Sequence, residues 1–277
     1  MIVDDDKSFT ACAGETTSTA MTNTLPYDAH VYTNASEGRD SLREVVRAAY
    51  ACGLELVAIA NSYDRVGEDL RDQAREVVRA SSHAPLMVIP AIETAIQDAV
   101  GTIGLTDELA RLAPVVYAHL SGRTRGIAAD PPASKARYLS NLFQALLNVV
   151  DRAPITALAR PFNIGQFPAP LTPAQLPPSA LDELAAAMEE RDVAFELNNQ
   201  IHWWFPELTV DEFTGEYSRV LEIFAAQNVK FLVSSDARSA AAVGNHAYVL
   251  RLMKAASIER SQVVDLPRFV RRKMERN

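Results

Sequence analysis

The chain has 277 residues, is 48% hydrophobic and carries a formal net charge of −8. That length and apolar content suit one domain with a sizeable core, and the negative balance argues against a nucleic-acid partner while leaving room for a local basic pocket. No apolar run approaches the ~18 residues that cross a bilayer, which argues against a membrane partner.

Residues 1–24 begin with Asp4-Asp5-Asp6 and continue in Ser, Thr, Ala and Gly. There is no basic n-region and no apolar h-region, so this is no secretory signal; it reads as a poorly ordered extension ahead of a single domain over 25–277. With no export signal, the cytoplasm is the expected compartment. Cys12 and Cys52 fit unpaired thiols better than a disulfide framework.

Strand one is expected over Tyr27 to Tyr32, and alternation places His30 and Tyr32 on one face of it. A loop leads to a helix over Ser41 to Cys52, with Leu42, Val45, Val46 and Ala49 at helical spacing and Gly53 as its stop. Leu54 to Ala60 has strand length, and Asp64 to Ala80 reads as one amphipathic helix. Leu86 to Glu93 is a third strand, Leu105 to Leu112 a short helix, and Val115 to His119 a fourth strand. Ser121 to Pro132 reads as a loop and Lys135 to Asp151 as a long helix. Ile155 to Ala159 is a fifth strand. Phe167 to Ser179, rich in proline, is an excursion over the mouth. Leu181 to Arg191 is a helix, Val193 to Leu197 a strand, Val210 to Gln227 mainly helical, and Val229 to Ser234 the seventh strand. From Ala240 onward the chain is helical, with a basic end at Arg268, Arg271, Arg272, Lys273 and Arg276 that reads as a solvated face. Strand and helix in alternation imply a parallel sheet with helices outside.

His30, Asn61, Glu93, His119, Arg160, Glu196 and Asp236 all fall at or just after an expected strand end. In parallel α/β barrels that rim carries the chemistry. A lone residue there is ordinarily structural; a set in one topological position points to a shared site. His83 and His246 are expected at the surface. His202-Trp203-Trp204-Phe205 is either a mouth-lining aromatic cluster or a loop tucked onto the barrel.

These residues carry a resemblance to the PHP domains (polymerase and histidinol phosphatase), a family of distorted seven-stranded β/α barrels. Its D-x-H-x-H-T motif is similar to Asp28-Ala29-His30-Val31-Tyr32-Thr33, followed by Ser36-Glu37-Gly38. I-T-D-H corresponds to Ile59-Ala60-Asn61-Ser62, and G-x-E to Ala91-Ile92-Glu93. A-H-P corresponds to Ala159-Arg160-Pro161, E-I-N-N to Glu196-Leu197-Asn198-Asn199, and S-D-A-H to Ser235-Asp236-Ala237-Arg238. The resemblance runs from about Tyr27 to Leu266 and implies a distorted TIM-like (β/α)7 barrel, phosphoesterase activity and as many as three metal ions at the rim.

The departures change the expected chemistry. The resemblance assigns a first metal to His30, position 32, Glu93 and Asp236, and a second to Glu93, His119 and position 160. Tyrosine at 32 ligates only as phenolate, and arginine at 160 cannot ligate at all. Ser62 and Arg238 in the third set remove that ion. What remains leaves room for one divalent ion (Zn, Mn or Fe) on His30, Glu93, Asp236 and His119, or for none. Arg160 and Arg238, with Asn61 and Asn198, suit a small phosphorylated or carboxylated molecule. Arginine also restores charge balance that lost metals would disturb, and the other reading of both arginines is structural ion pairing, with Arg160 against Glu93 in the vacated space. Two functions follow: a PHP-like phosphoesterase with a reduced metal site, whose catalytic set is His30, Glu93, His119 and Asp236, or an inactive barrel that binds an anion through its arginines. Oligomeric state is not legible.

Overall fold

The computed structural model of the chain describes residues 25–275, so the expected N-terminal extension lies outside the described residues. Seven parallel strands follow in sequence order: β1 Tyr27–Val31, β2 Leu56–Ser62, β3 Met87–Asp98, β4 Val115–Arg125, β5 Ala157–Leu158, β6 Ala194–Asn198 and β7 Phe231–Ser234. The sheet curls back on itself. The Tyr32 N–H donates to the Ala237 carbonyl at 2.9 Å, and Val31 bridges Ala237 in parallel. The result is a nearly closed (β/α)7 TIM-like barrel.

The outer helices are α1 Leu42–Ala51, α2 Tyr63–Val66, α3 Leu70–Ser81, α4 Asp107–Ala110, α5 Lys135–Arg152, α6 Pro178–Glu190, α7 Val210–Ala226, α8 Ala247–Ala255 and α9 Leu266–Glu275. Their ends follow local chemistry. Ser41 and Thr209 close capping boxes with Glu44 and Glu212 at the starts of α1 and α7. Gly53, at φ 72°, supplies the left-handed residue that turns the chain out of α1. Among the described residues no helix is long and apolar enough to cross a membrane.

Three expectations about elements are corrected. The single helix over Asp64 to Ala80 is broken into α2, a 3-10 turn at Gly67–Asp69, and α3, with Gly67 at φ 56°. The helix over Leu105 to Leu112 shrinks to one turn, α4. β3 and β4 run well past Glu93 and His119, to Asp98 and Arg125. The Thr124 hydroxyl ties this extension by donating to the Ile96 carbonyl at 2.7 Å. Glu93 and His119 therefore sit inside their strands, and the two extensions stand as a parallel ribbon beyond the rim. Polar residues and Gly122 hid this, because a ribbon wetted on its outer side lacks the apolar run of a buried strand.

One side of the core is aromatic. Phe195 on β6 lies with its ring centroid 4.8 Å from that of Phe224 and 5.9 Å from that of Phe231, and Phe162 and Tyr217 pack against the same ring. All five are buried. Edge-to-face contacts of this kind add to the area they remove from water. Phe195→Ala is expected to cost ~3–5 kcal/mol of unfolding free energy in urea titration; a loss below ~1 kcal/mol would show that the cluster repacks freely.

Candidate functional site

The residues that alternation and strand order bring together form a closed polar centre at the C-terminal end of the barrel. Arg160 is its hub. β5 stops at Leu158, and Arg160 takes a left-handed backbone conformation at φ 45°. That turn aims its N–H at Glu196 Oε2, 2.7 Å away, and sends its side chain across the barrel. Nη1 donates to Asp236 Oδ1 at 2.9 Å and to the Tyr32 hydroxyl at 3.1 Å. Nη2 is in direct ion contact with Glu93 Oε1. Tyr32 completes the ring by donating to Glu93 Oε2 at 2.8 Å. Asp236 also adopts a left-handed backbone, at φ 55°. For a non-glycine residue this conformation is uncommon and marks a constrained position.

His30 is held from the other side. Its Nδ1 lies 2.7 Å from Glu196 Oε1, which also accepts from the Ser234 hydroxyl at 2.7 Å. Its ring stacks on Tyr117, centroids 4.5 Å apart, and the Tyr117 hydroxyl donates to the Ala29 carbonyl at 2.6 Å. His30 Nε2 has no hydrogen-bond partner; Glu93 Oε1 is 3.9 Å away. His119 Nδ1 comes within 3.2 Å of Glu93 Oε1 but is not aligned to bond it.

The electrostatics follow from burial and from Arg160. Burial alone would raise the Glu93 pKa, but the adjacent guanidinium outweighs it and, with His119, His30 and the Tyr32 hydroxyl, holds the carboxyl well below the usual range. Glu196 behaves alike, burial being outweighed by the charge and hydrogen bond of His30. In return Glu196 overcomes the burial of His30 and raises its pKa. His119 is pushed down by burial, so it is neutral at pH 7 and the charge opposite Glu93 is that of Arg160. Burial drives the Tyr32 phenol well above its usual value, only partly offset by Arg160, so it stays a neutral donor.

This arrangement does not fit a divalent ion. The carboxylates of Glu93 and Asp236, which a first metal would use, share one guanidinium, and an incoming ion would have to displace that charge or sit beside it. Among the described residues no group of three or more His, Cys, Asp or Glu is placed to hold a metal. Arg238, at a position of the third metal set, lies with its guanidinium 5.0 Å from the centre of the Tyr32 ring and pairs with Glu37 at 3.3 Å. A second cation thus stands over the same group of residues.

Of the two roles open to Arg160, the geometry is that of the ion pair with Glu93: it is 4% exposed and committed to carboxylates inside the barrel. Asn61 is also committed: its carbonyl accepts from Ser36 and Thr33 and its amide donates to Gln73. Asn198 accepts from the Gln200 N–H at 2.8 Å and shapes the turn after β6. His246 is corrected from surface to core, buried beside Asp28, whose carboxylate accepts from the N–H groups of Ser235 and Gly244. Of the aromatic loop, Ile201 and Phe205 are buried and Trp203 is 62% exposed, so the loop is tucked onto the barrel.

Beside the closed centre lies an open cleft of about 620 Å³, with His119 and Ser62 on one side and Ser121, Arg123 and Arg125 on the β4 extension. Arg65 and Glu37 form its other lip, paired at 2.7 Å. Arg125 pairs with Asp98 at 3.5 Å. Arg123 is exposed and takes part in no ion pair among the described residues. Tyr117, Arg65, Arg123 and Arg125 are the members of this region that sequence reasoning missed, whereas Glu196 was placed at the rim by its strand-end position. Arg123 and Arg125 became visible only with the extended β4.

Arg160→Met leaves Glu93 and Asp236 buried without a cation and is expected to cost ~3–5 kcal/mol, part of it recovered by adding Glu93→Gln. Urea titration of the single and double variants checks this, and a single variant as stable as the parent contradicts it. Acid stability follows from the carboxylates. Glu93 and Glu196 have depressed folded pKa values, so their contribution is full above the unfolded value of about 4.3 and drains as pH falls below it. His30, raised, contributes fully below about 6.5 and fades as pH climbs through its folded value. His119, depressed, subtracts stability as pH falls below about 6.5. The unfolding midpoint should therefore drop from about pH 5 to about pH 3; a flat midpoint there would mean these carboxylates are not paired in solution.

No family model and no curated protein sequence matches this chain. Among solved structures it is similar to a chain of an archaeal ribonuclease P determined with mature tRNA, at 12% identity and TM-score 0.47, covering 83% of this chain and 88% of that one. It is also similar to a Bacteroides ovatus GH5 xyloglucanase at 9% identity and TM-score 0.41, covering 83% and 75% respectively. A family 5 xyloglucanase from Paenibacillus pabuli follows at 8% identity and TM-score 0.36, covering 83% and 98%. Likeness at this level carries no argument about function.

Proposed function

We propose that this chain is a degenerate PHP-like barrel that works without a metal, as a binding protein for a small phosphorylated or carboxylated molecule. The observation that carries the reading is the Arg160 guanidinium shared between Glu93 and Asp236. It supplies the positive charge that a divalent ion would bring, and it engages one oxygen of each carboxylate. The phosphoesterase reading needs a cation where Arg160 already provides one, so the geometry favours it less.

The cleft beside the centre supports the ligand class. It is lined by Arg65, Arg123 and Arg125 against Glu37 and Asp64, a cationic balance on a chain whose net charge is −8. Asp64 is engaged, since its Oδ2 accepts from the Ala95 N–H at 2.7 Å. Guanidinium groups bind phosphate and carboxylate through paired N–H donors, and Ser62 and Ser121 add hydroxyls at the cleft wall. His119 lines the same cleft with a neutral imidazole whose Nδ1 is turned inward to Glu93.

Protein purified without chelator should hold well under one equivalent of Zn, Mn or Fe by elemental analysis. Inorganic phosphate or citrate should raise its melting temperature in EDTA, as a ligand of the native state does. Arg123→Ala should weaken that binding ~tenfold, the equivalent of about 1.4 kcal/mol. Stabilisation that requires a divalent ion, or turnover of phosphomonoesters under Mn or Zn, would overturn the proposal.

A further inference from the structure

A second recessed surface lies on the flank of the barrel, outside the site described above. α1 and α3 leave between them a groove of about 590 Å³. Its floor is apolar, made by Leu42, Val46, Tyr50 and Ala84, and Tyr50 is half exposed. Its rim is cationic: Arg43 and Arg47 on α1 face Arg79 on α3, with Glu76 the carboxylate among the lining residues. All three arginines are exposed, and none enters an ion pair among the described residues. An apolar floor with an unpaired cationic rim calls for an occupant that is apolar and acidic within a few residues.

The chain itself contains such a stretch. Met1-Ile2-Val3 is apolar, and Asp4-Asp5-Asp6 follows at once. The tether also begins next to the groove. The Glu55 N–H donates to the Pro26 carbonyl at 2.7 Å, and the Met87 N–H donates to the Glu55 carbonyl at 2.9 Å. Leu25 and Pro26 therefore enter at the end of the barrel where β3 starts, and the Ala84-Pro85 turn just before β3 lines the groove. Eighteen residues separate Asp6 from Leu25, and extended they would reach about 60 Å. α1 is only about 15 Å long. The groove is well within reach.

We propose that the groove between α1 and α3 is the docking site of this chain's own segment Met1–Asp6, with Ile2 and Val3 on the apolar floor and the three aspartates against Arg43, Arg47 and Arg79. A tethered segment needs little intrinsic affinity, because the linker holds it at high effective concentration. Three arginines against three carboxylates make the docking sensitive to salt. Docking removes Tyr50 and its apolar neighbours from water and leaves the cleft at the mouth untouched.

The test uses the full chain with Cys12→Ser and Cys52→Ser, and one cysteine pair placed as a reporter. Ile2→Cys with Tyr50→Cys should form a disulfide within one chain about tenfold faster than Ile2→Cys with Val100→Cys, as high effective concentration requires. Val100 is the control because it is 63% exposed just past the end of β3, at the opposite end of the barrel. Arg43→Glu, Arg47→Glu and Arg79→Glu together should remove the advantage, as should about 1 M salt. Asp4→Lys, Asp5→Lys and Asp6→Lys in that background should restore it. If the glutamate variant fails to fold by circular dichroism, the arginine-to-glutamine triple serves instead. Equal rates for the two cysteine pairs, or indifference to charge reversal, overturns the proposal. So does a disulfide that forms only between chains and grows with concentration, which gives the groove to a second copy.

Discussion

The barrel depends on one buried cation. Arg160 bonds through its backbone to Glu196 on β6 and through its guanidinium to Glu93 on β3, to Asp236 just after β7, and to Tyr32 just after β1. Strands from opposite sides of the barrel are tied to a single side chain. Ionised carboxylates in a place this dry are costly unless a partner is close and well oriented. The guanidinium meets that need with several donors in a fixed plane. The local backbone serves the same end: β5 is two residues long, and the left-handed turn at Arg160 separates the direction of its N–H from that of its side chain.

This has a consequence for how the mouth is divided. Its inner part is closed. Each carboxylate there has a partner, Tyr32 is a neutral donor held by Glu93 and Arg160, and His30 is fixed between Glu196 and Tyr117. Its outer part is open, because β3 and β4 continue past the rim and carry Arg123 and Arg125 out beside His119. Charge that would otherwise be used to hold an ion is spent inside the protein. The exposed cationic charge lies one layer further out, on the arginines of the cleft.

Much of the polar centre was legible in the sequence. His30, Glu93, Arg160 and Asp236 could be placed because each ends an apolar run or follows it closely, and because the alternation of strand and helix brings such ends to one rim. Which of the two roles open to Arg160 it takes was not legible. A guanidinium that pairs with two buried carboxylates and one that waits for a phosphate have the same letter in the same place. His246 shows the same limit: its partner Asp28 lies over two hundred residues earlier, and nothing local marks the helix start at His246 as buried. The break between α2 and α3 had a local sign in Gly67, which helical periodicity outweighed.

The sequence by itself determined the order of the strands, the parallel sheet with helices outside and the identity of most residues that meet at its rim. It did so because apolar periodicity and capping are local, and because parallel strands joined by helices have few ways to close. Only the tertiary structure decided which charge faces which, how far β3 and β4 run, and which arginines remain accessible. Those are matters of distance and burial between residues remote in the chain. Whether Arg160 is a ligand for something else or a partner for Glu93 depends on a few ångströms that no local pattern encodes.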